Sequence, residues 1–350
     1  MRTANSVDEV SDHPTRKRGG NQQMQENRLQ VLDGLRAASI LLVLATHMLP
    51  LGPKALRLNE TTGPMGMSLF FALSGFLIAT KLVEGERVAT FFTRRFARIL
   101  PLAYAYLAAV LLVVTYNPQA LVGNVLFVEN YAHSYVTPLT SHFWSLCVEL
   151  HFYIGIGLTV AVFGTRGLWL VIPACLAITA IRVTEGAYID IKTHLRVDEI
   201  LAGAIVALLY HHNWLRRCLP LYLLGILVIF WMMSSSPFGG PLQYARPYFS
   251  ASILALSLTM HEGIIRTLLT CKPARYVAEI SYALYVVHPL TFYGWMNVGS
   301  PFEKYLLKRP VSFAATFLLA HISTRYWESW WIALSRRATT IAAPKTRASL

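Results

Sequence analysis

Charge is scarce in this chain. Only 14% of its 350 residues are Asp, Glu, Lys or Arg, against about 25% in an ordinary soluble domain. Acidic residues are scarcest, 18 against 31 Lys and Arg, which leaves a net charge of +13. Cysteine is nearly absent as well. Cys147, Cys175, Cys218 and Cys271 show no paired or metal-type spacing, which excludes a disulfide framework and gives metal binding no support. They read as free thiols in or beside helices. Strand-period alternation is missing too, which argues against an outer-membrane barrel. No internal repeat is visible, and that disfavours a secondary transporter with echoing halves. Residues 1–28 lack the apolar core and cleavage site of a signal peptide. They are polar and mixed in charge, with Lys17, Arg18, Gly19 and Gly20 together, and read as a short disordered tail before an uncleaved first anchor.

What the chain has is apolar length. Hydrophobic residues make up 55% of it. Runs near membrane-spanning length recur at about 31–51, 65–82, 99–115, 144–163, 167–182, 197–210, 219–235, 247–262, 279–298 and 310–334. The expected fold class is all-α, a polytopic transmembrane helical bundle of about ten spans in the lipid bilayer. The expected divisions are the tail 1–28, a membrane-embedded domain 29–335 and a C-terminal tail 336–350. With the N-terminus inside, 20 of the 31 Lys and Arg fall in inner segments and 9 in outer ones. That bias places both termini in the cytoplasm. It also explains the positive charge without nucleic acid, which is not an expected partner. The connection from Tyr116 to Ser141 has no Lys or Arg and falls outside.

The first span carries two polar anomalies. Arg36 and His47 are eleven positions apart, about 20° past three full helical turns, so they share one stripe about 16 Å long. An arginine in a membrane helix costs roughly 2.5–3.5 kcal/mol on insertion scales and usually faces a bundle interior or polar cavity. The alternative is that Arg36 snorkels to the headgroups while His47 bonds a neighbouring carbonyl.

Further polar signals follow in order. The run Phe70-Phe71-Ala72-Leu73-Ser74-Gly75-Phe76-Leu77 holds a Ser-Gly pair that allows close helix approach. In Phe91-Phe92-Thr93-Arg94-Arg95-Phe96-Ala97-Arg98, one helical turn gathers Arg94, Arg95 and Arg98 into a positive patch. Guanidinium forks there suit a phosphate-bearing ligand; the simpler reading of the arginines alone is a basic juxtamembrane segment touching anionic lipid. Ser145 and Glu149 lie one turn apart, and Glu149 beside an apolar run needs a partner or a raised pKa. Arg196 and Asp198 open another span, where a local ion pair is the simpler reading. Ser281, Tyr285 and His288 form an i, i+4, i+7 stripe that suits interhelical hydrogen bonding as well as catalysis.

Together these segments resemble the acyltransferase-3 family of integral-membrane O-acyltransferases. The likeness rests on the Arg36-to-His47 spacing, FFALSGFL, FFTRRFARILP, WSLCVE followed by FY, RVDEILAG and ISYALYVVHP. It covers about residues 29–335. Leu150 and His151 depart from a more usual acid or amide pair, the last span lacks a proline after Glu328, and with the chain ending near 350 no esterase-like domain is expected.

The resemblance implies transfer of a short acyl group, most often acetyl, from cytoplasmic acyl-CoA to a hydroxyl acceptor. The acceptor implied is a glycan such as O-antigen, exopolysaccharide, lipo-oligosaccharide or peptidoglycan, or else a small molecule such as a macrolide. It also implies a bacterial inner (plasma) membrane. His47 is the expected base, since histidine titrates in the useful range, with an acyl-histidine intermediate as the variant. Arg94, Arg95 and Arg98 would hold CoA phosphates, and Arg36 would neutralise charge between them and His47. Glu149, Ser145, Tyr285, Ser281 and His288 are further candidates. On this reading the donor's pantetheine arm reaches through the bundle to His47. A transporter of lipid-linked glycans is the alternative function.

Overall fold

The computed structural model describes residues 15–114, 116–215, 222–260 and 262–341. Cys218, the first half of the N-terminal tail and residues 342–350 lie outside the described residues. All regular structure among the described residues is helical. In chain order the helices are α1 (Thr15–Met48), α2 (Leu58–Val83), α3 (Val88–Ala108, prolonged by a π turn to Val114), α4 (Pro118–Val125), α5 (Trp144–Phe163), α6 (Val171–Thr184) and α7 (Asp198–His211). They continue as α8 (Tyr222–Ser235), α9 (Arg246–Thr259), α10 (Ile264–Thr270), α11 (Lys272–Glu279), α12 (Ser281–Phe292), α13 (Arg309–Ile322) and α14 (Ser329–Ile341). Every apolar run read from the sequence overlaps these helices among the described residues, and the last, 310–334, covers both α13 and α14. The edges move, however. The first helix starts at Thr15, inside the stretch read as a tail. The third starts at Val88, so the whole FFTRRFARILP segment is helical rather than a preceding loop.

Four helical stretches are long and apolar enough to cross a bilayer, at 30–48, 58–83, 88–114 and 141–184, the last containing α5 and α6. The pair α8–α9, bent by 116°, makes a fifth if it is one span. The 14-residue α7 measures about 21 Å and would cross only part of a ~30 Å hydrocarbon core.

Short polar sequences join these helices by satisfying their ends. Asn59, at the start of α2, donates to the carbonyls of Thr46 (2.9 Å) and Leu49 (2.7 Å) and accepts from the Leu51 amide at 3.1 Å. That seals the C-terminal carbonyls of α1, which a helix cannot pair by itself.

The core of the bundle is α2, wrapped by α1, α7 and α9. Its closest neighbour is α7, and glycine sets the spacing. A Cβ on Gly75 would sit 1.9 Å from the Ile200 carbonyl oxygen, and one on Gly203 1.9 Å from that of Ala72. Both glycines stand in the motifs quoted above, so the Ser-Gly signal marks a backbone-to-backbone contact, as small residues do in membrane bundles. Helices α3, α5 and α12 close the other side and enclose the polar interior.

Candidate active site

Arg36, Ser74, Arg95, Arg98, Glu149 and Ser281 converge, from five helices, on one cavity of about 50 Å³ floored by Phe70, Leu73 and Leu77. Glu149 on α5 is 5% exposed. It accepts a hydrogen bond from the Tyr153 hydroxyl at 2.5 Å, and a short one from Ser74. Its partners are therefore hydroxyls, with Arg36 and Arg95 across the same cavity, and not an ion pair. Tyr282 closes the wall and donates to the Ile99 carbonyl at 2.6 Å.

Arg36 and Arg98 also line a second, open cleft of about 720 Å³ between α1, α3, α11 and α14. Arg275 and Arg336 stand on its rim, with Asp33, Glu279 and Glu328 interspersed. Asp33 lies 4.0 Å from Arg36. The cleft is of the size that holds a nucleotide-sized ligand. The two spaces thus meet at Arg36 and Arg98.

Arg94 is not part of this arrangement. It turns to Glu86 at 2.8 Å, with its side chain 52% exposed. Arg95 and Arg98 lie three apart and share the inward face of α3, while the packing of Phe91 on Tyr153 (5.9 Å between rings) sets the phase that leaves Arg94 outside.

His47 lies in a separate cluster. Its ring is 5.2 Å from that of His288 and stacks on Phe292 at 5.8 Å. His288 is in turn 5.2 Å from His142. The Nδ1 of His288 donates to the Tyr285 carbonyl at 2.7 Å, which fixes the tautomer and leaves Nε2 its lone pair. Tyr285 bonds Ser145 at 2.5 Å and makes a short bond to the His142 carbonyl. Four expected residues, His47, Ser145, Tyr285 and His288, are therefore brought together, while Ser281 joins the arginine cavity. None of the four lines that cavity. The expected open route from the arginines to His47 is not met. Phe70, on the cavity wall, stacks on Tyr285 with centroids 6.4 Å apart and rings 8° from parallel, and this ring layer stands between the two groups.

The Arg196–Asp198 pair is not formed either. Asp198 bonds Arg182 of α6 at 2.6 Å, Arg196 faces Glu199 at 3.4 Å, and Glu199 also takes Arg246 of α9 at 2.7 Å. Positions two apart on a helical turn diverge, whereas three apart share a face. All five side chains are at most 2% exposed, so they form a buried charge layer that ties α6, α7 and α9 together.

Sequence reading assigned no role to Ser74 beyond packing, and none to His142, Phe70, Arg275 or Arg336. A hydroxyl within an apolar helix and a histidine three residues before Ser145 were the available signals. Glu129 was missed entirely. It is fully buried in the connection between α4 and α5, with neither carboxylate oxygen in a hydrogen bond of good geometry. Burial pushes its carboxyl up to about 8, and Asn124, Thr140 and the Trp144 amide offset only part of that.

Long apolar helices around half-buried arginines, a buried carboxylate and a histidine group define a helical membrane protein with a polar site. The chain belongs to the acyltransferase-3 family, whose acyltransferase domain model matches residues 29–325. It is similar to the peptidoglycan O-acetyltransferase of Listeria monocytogenes, 23% identical over 85% of this chain and 55% of that protein. An O-acetyltransferase of Staphylococcus aureus is 23% identical over 85% of the chain and 56% of its own length. An acyltransferase of Streptomyces mycarofaciens is 31% identical over 36% of the chain and 38% of its own. The chain spans about half the length of the full-length relatives it matches. No solved structure matches.

Proposed function

We propose that this chain is a membrane O-acyltransferase that moves a short acyl group, acetyl above all, from cytoplasmic acyl-CoA to a hydroxyl of a cell-surface or secreted glycan. The observation that carries the reading is the junction at Arg36 and Arg98. It joins a nucleotide-sized cleft, where four arginines stand among three carboxylates, to a small polar cavity, the shape suited to a donor with a phosphate-rich head and a thin reactive arm. Family membership and the activities of the relatives point the same way.

In this reading Arg98 holds donor phosphates as a charge-assisted, fork-shaped donor, and Arg36 and Arg95, on the wall of the small cavity, offset charge along the arm. His47 is the base. It removes the proton from the acceptor hydroxyl as the oxygen attacks the thioester carbon. The C–S bond breaks as the C–O bond forms, and the departing CoA thiolate takes up a proton. His288, fixed by Tyr285, orients His47. The ten-span arrangement, with both termini cytoplasmic in a bacterial inner membrane and the embedded domain at 29–335, belongs to the same proposal.

The test is donor binding by the purified full chain. Losing one charge-assisted contact costs roughly 1.5–3 kcal/mol, or about 10- to 100-fold in Kd. Arg98→Ala is expected to weaken acetyl-CoA binding by that factor, while Arg94→Ala, off the cavity wall, leaves it within about two-fold. Equal effects of the two variants, or no binding by the unmodified chain, would sink the donor assignment.

A further inference from the structure

The ring layer between the arginine cavity and the histidine cluster is assigned no role by the family likeness or by the reading above. Its position is fixed by α12. Ser281 lines the cavity, Tyr285 lies one turn on, and His288, packed on His47, lies nearly two turns on. At 1.5 Å per residue His288 is about 10 Å beyond Ser281 along the helix. A thioester in the cavity therefore has one aromatic layer, Phe70 on Tyr285, between itself and His47.

The two rings of that layer are held very differently. Tyr285 is anchored by its bond to Ser145 at 2.5 Å and by its short bond to the His142 carbonyl. Phe70 has no polar anchor. Its ring contacts are Tyr285 and Phe71, the latter at 6.1 Å, and the residue is only half-buried. If either ring moves, it is Phe70, whose swing breaks no hydrogen bond.

The cavity below is also small. A water needs about 10–15 Å³ of such space, so about 50 Å³ takes only a few heavy atoms. An acetyl thioester fits that count. A butyryl group would have to displace the ring of Phe70 or the leucines beside it.

We propose that Phe70 is the positioning and specificity-determining residue of this site. Its ring keeps the thioester from water and from the outer histidines until an acceptor is in place, and it limits the acyl group to about two carbons. This rests on the acyltransferase reading. With the ring in place, thioester cleavage is coupled to ester formation on the acceptor. With the ring removed, water takes the acceptor's part: its oxygen bonds to the acyl carbon, the C–S bond breaks, and the products are a carboxylic acid and free CoA thiol.

The experiment uses membranes from cells producing the full chain, with acetyl-CoA or butyryl-CoA as donor and the endogenous glycans as acceptor. Thiol release and base-released acyl ester are measured together. Phe70→Ala is expected to raise the butyryl-to-acetyl ratio at least ten-fold and to release thiol well in excess of ester. Phe70→Tyr, which keeps the ring, is expected to restore both ratios. Should the alanine variant fail to accumulate, Phe70→Leu removes the ring with less lost volume, and a partial shift in the same direction is expected. Accumulating ring-less variants with unmodified coupling and chain preference would overturn the proposal. If the unmodified chain yields neither thiol nor ester, the acyltransferase reading itself fails, a result distinct from an active enzyme indifferent to Phe70.

Discussion

Glu129 shows how much one residue can say that the motifs do not. A carboxyl with no hydrogen bond of good geometry and no exposed surface stays protonated at neutral pH because burial disfavours its charge. Its folded-state value, about 8, lies above the ordinary carboxylate value of 4.5, so the folded chain binds the proton more tightly than the unfolded one. The stability this proton supplies is full below about 4.5 and is lost as pH rises through about 8. Glu129→Gln keeps the shape and removes the titration. Thermal unfolding in detergent is expected to show the unmodified chain losing more Tm than the Gln variant between pH 6 and pH 9. Parallel pH profiles would contradict this. The candidate base, His47, and the donor-site arginines are different in kind: their roles are read from placement, and their tests are functional.

Among the elements, the α2–α7 pair carries the architecture. With Gly75 and Gly203 each facing a backbone carbonyl at a distance no side chain tolerates, the helices meet main chain to main chain, and an added Cβ forces them apart. Overpacking of this kind costs about 1–3 kcal/mol or more. Gly203→Val is accordingly expected to lower Tm and the amount of folded protein. Gly225, whose Cβ would meet nothing within 4 Å, is expected to accept alanine with little change. The two substitutions behaving alike in a thermal melt would count against the packing account. The same pair shows what sequence can reveal. FFALSGFL and RVDEILAG flag small residues in apolar helices, which is a packing signal in itself. The partners of Asp198 and Glu199 were not legible in the same way. Arg182 and Arg246 come from other helices, and only the folded bundle brings them within 2.6–2.7 Å. The phase of α3 was equally hidden: three arginines within one turn look equivalent until Phe91 packs on Tyr153 and turns Arg94 away.

At the scale of the whole molecule, the chain separates two polar groups, a cavity bearing arginines and a carboxylate and a histidine cluster in which His142 and His288 are buried and His47 is exposed. The spacing of Arg36 and His47 in the sequence marks both, since each group takes one of them from the same helix. What the spacing does not reveal is the aromatic layer between, because a phenylalanine in an apolar helix looks like any core residue. The central claim is that the two groups serve one acyl transfer. Its most direct test is mass spectrometry of the surface and secreted glycans of cells with the gene intact, deleted, or carrying His47→Ala. An ester-sized mass increment is expected only with the intact gene, lost on deletion and lost in His47→Ala while that variant still accumulates in the membrane. An increment that persists undiminished in His47→Ala would remove His47 from the chemistry, and one that persists after deletion would contradict glycan O-acylation by this chain.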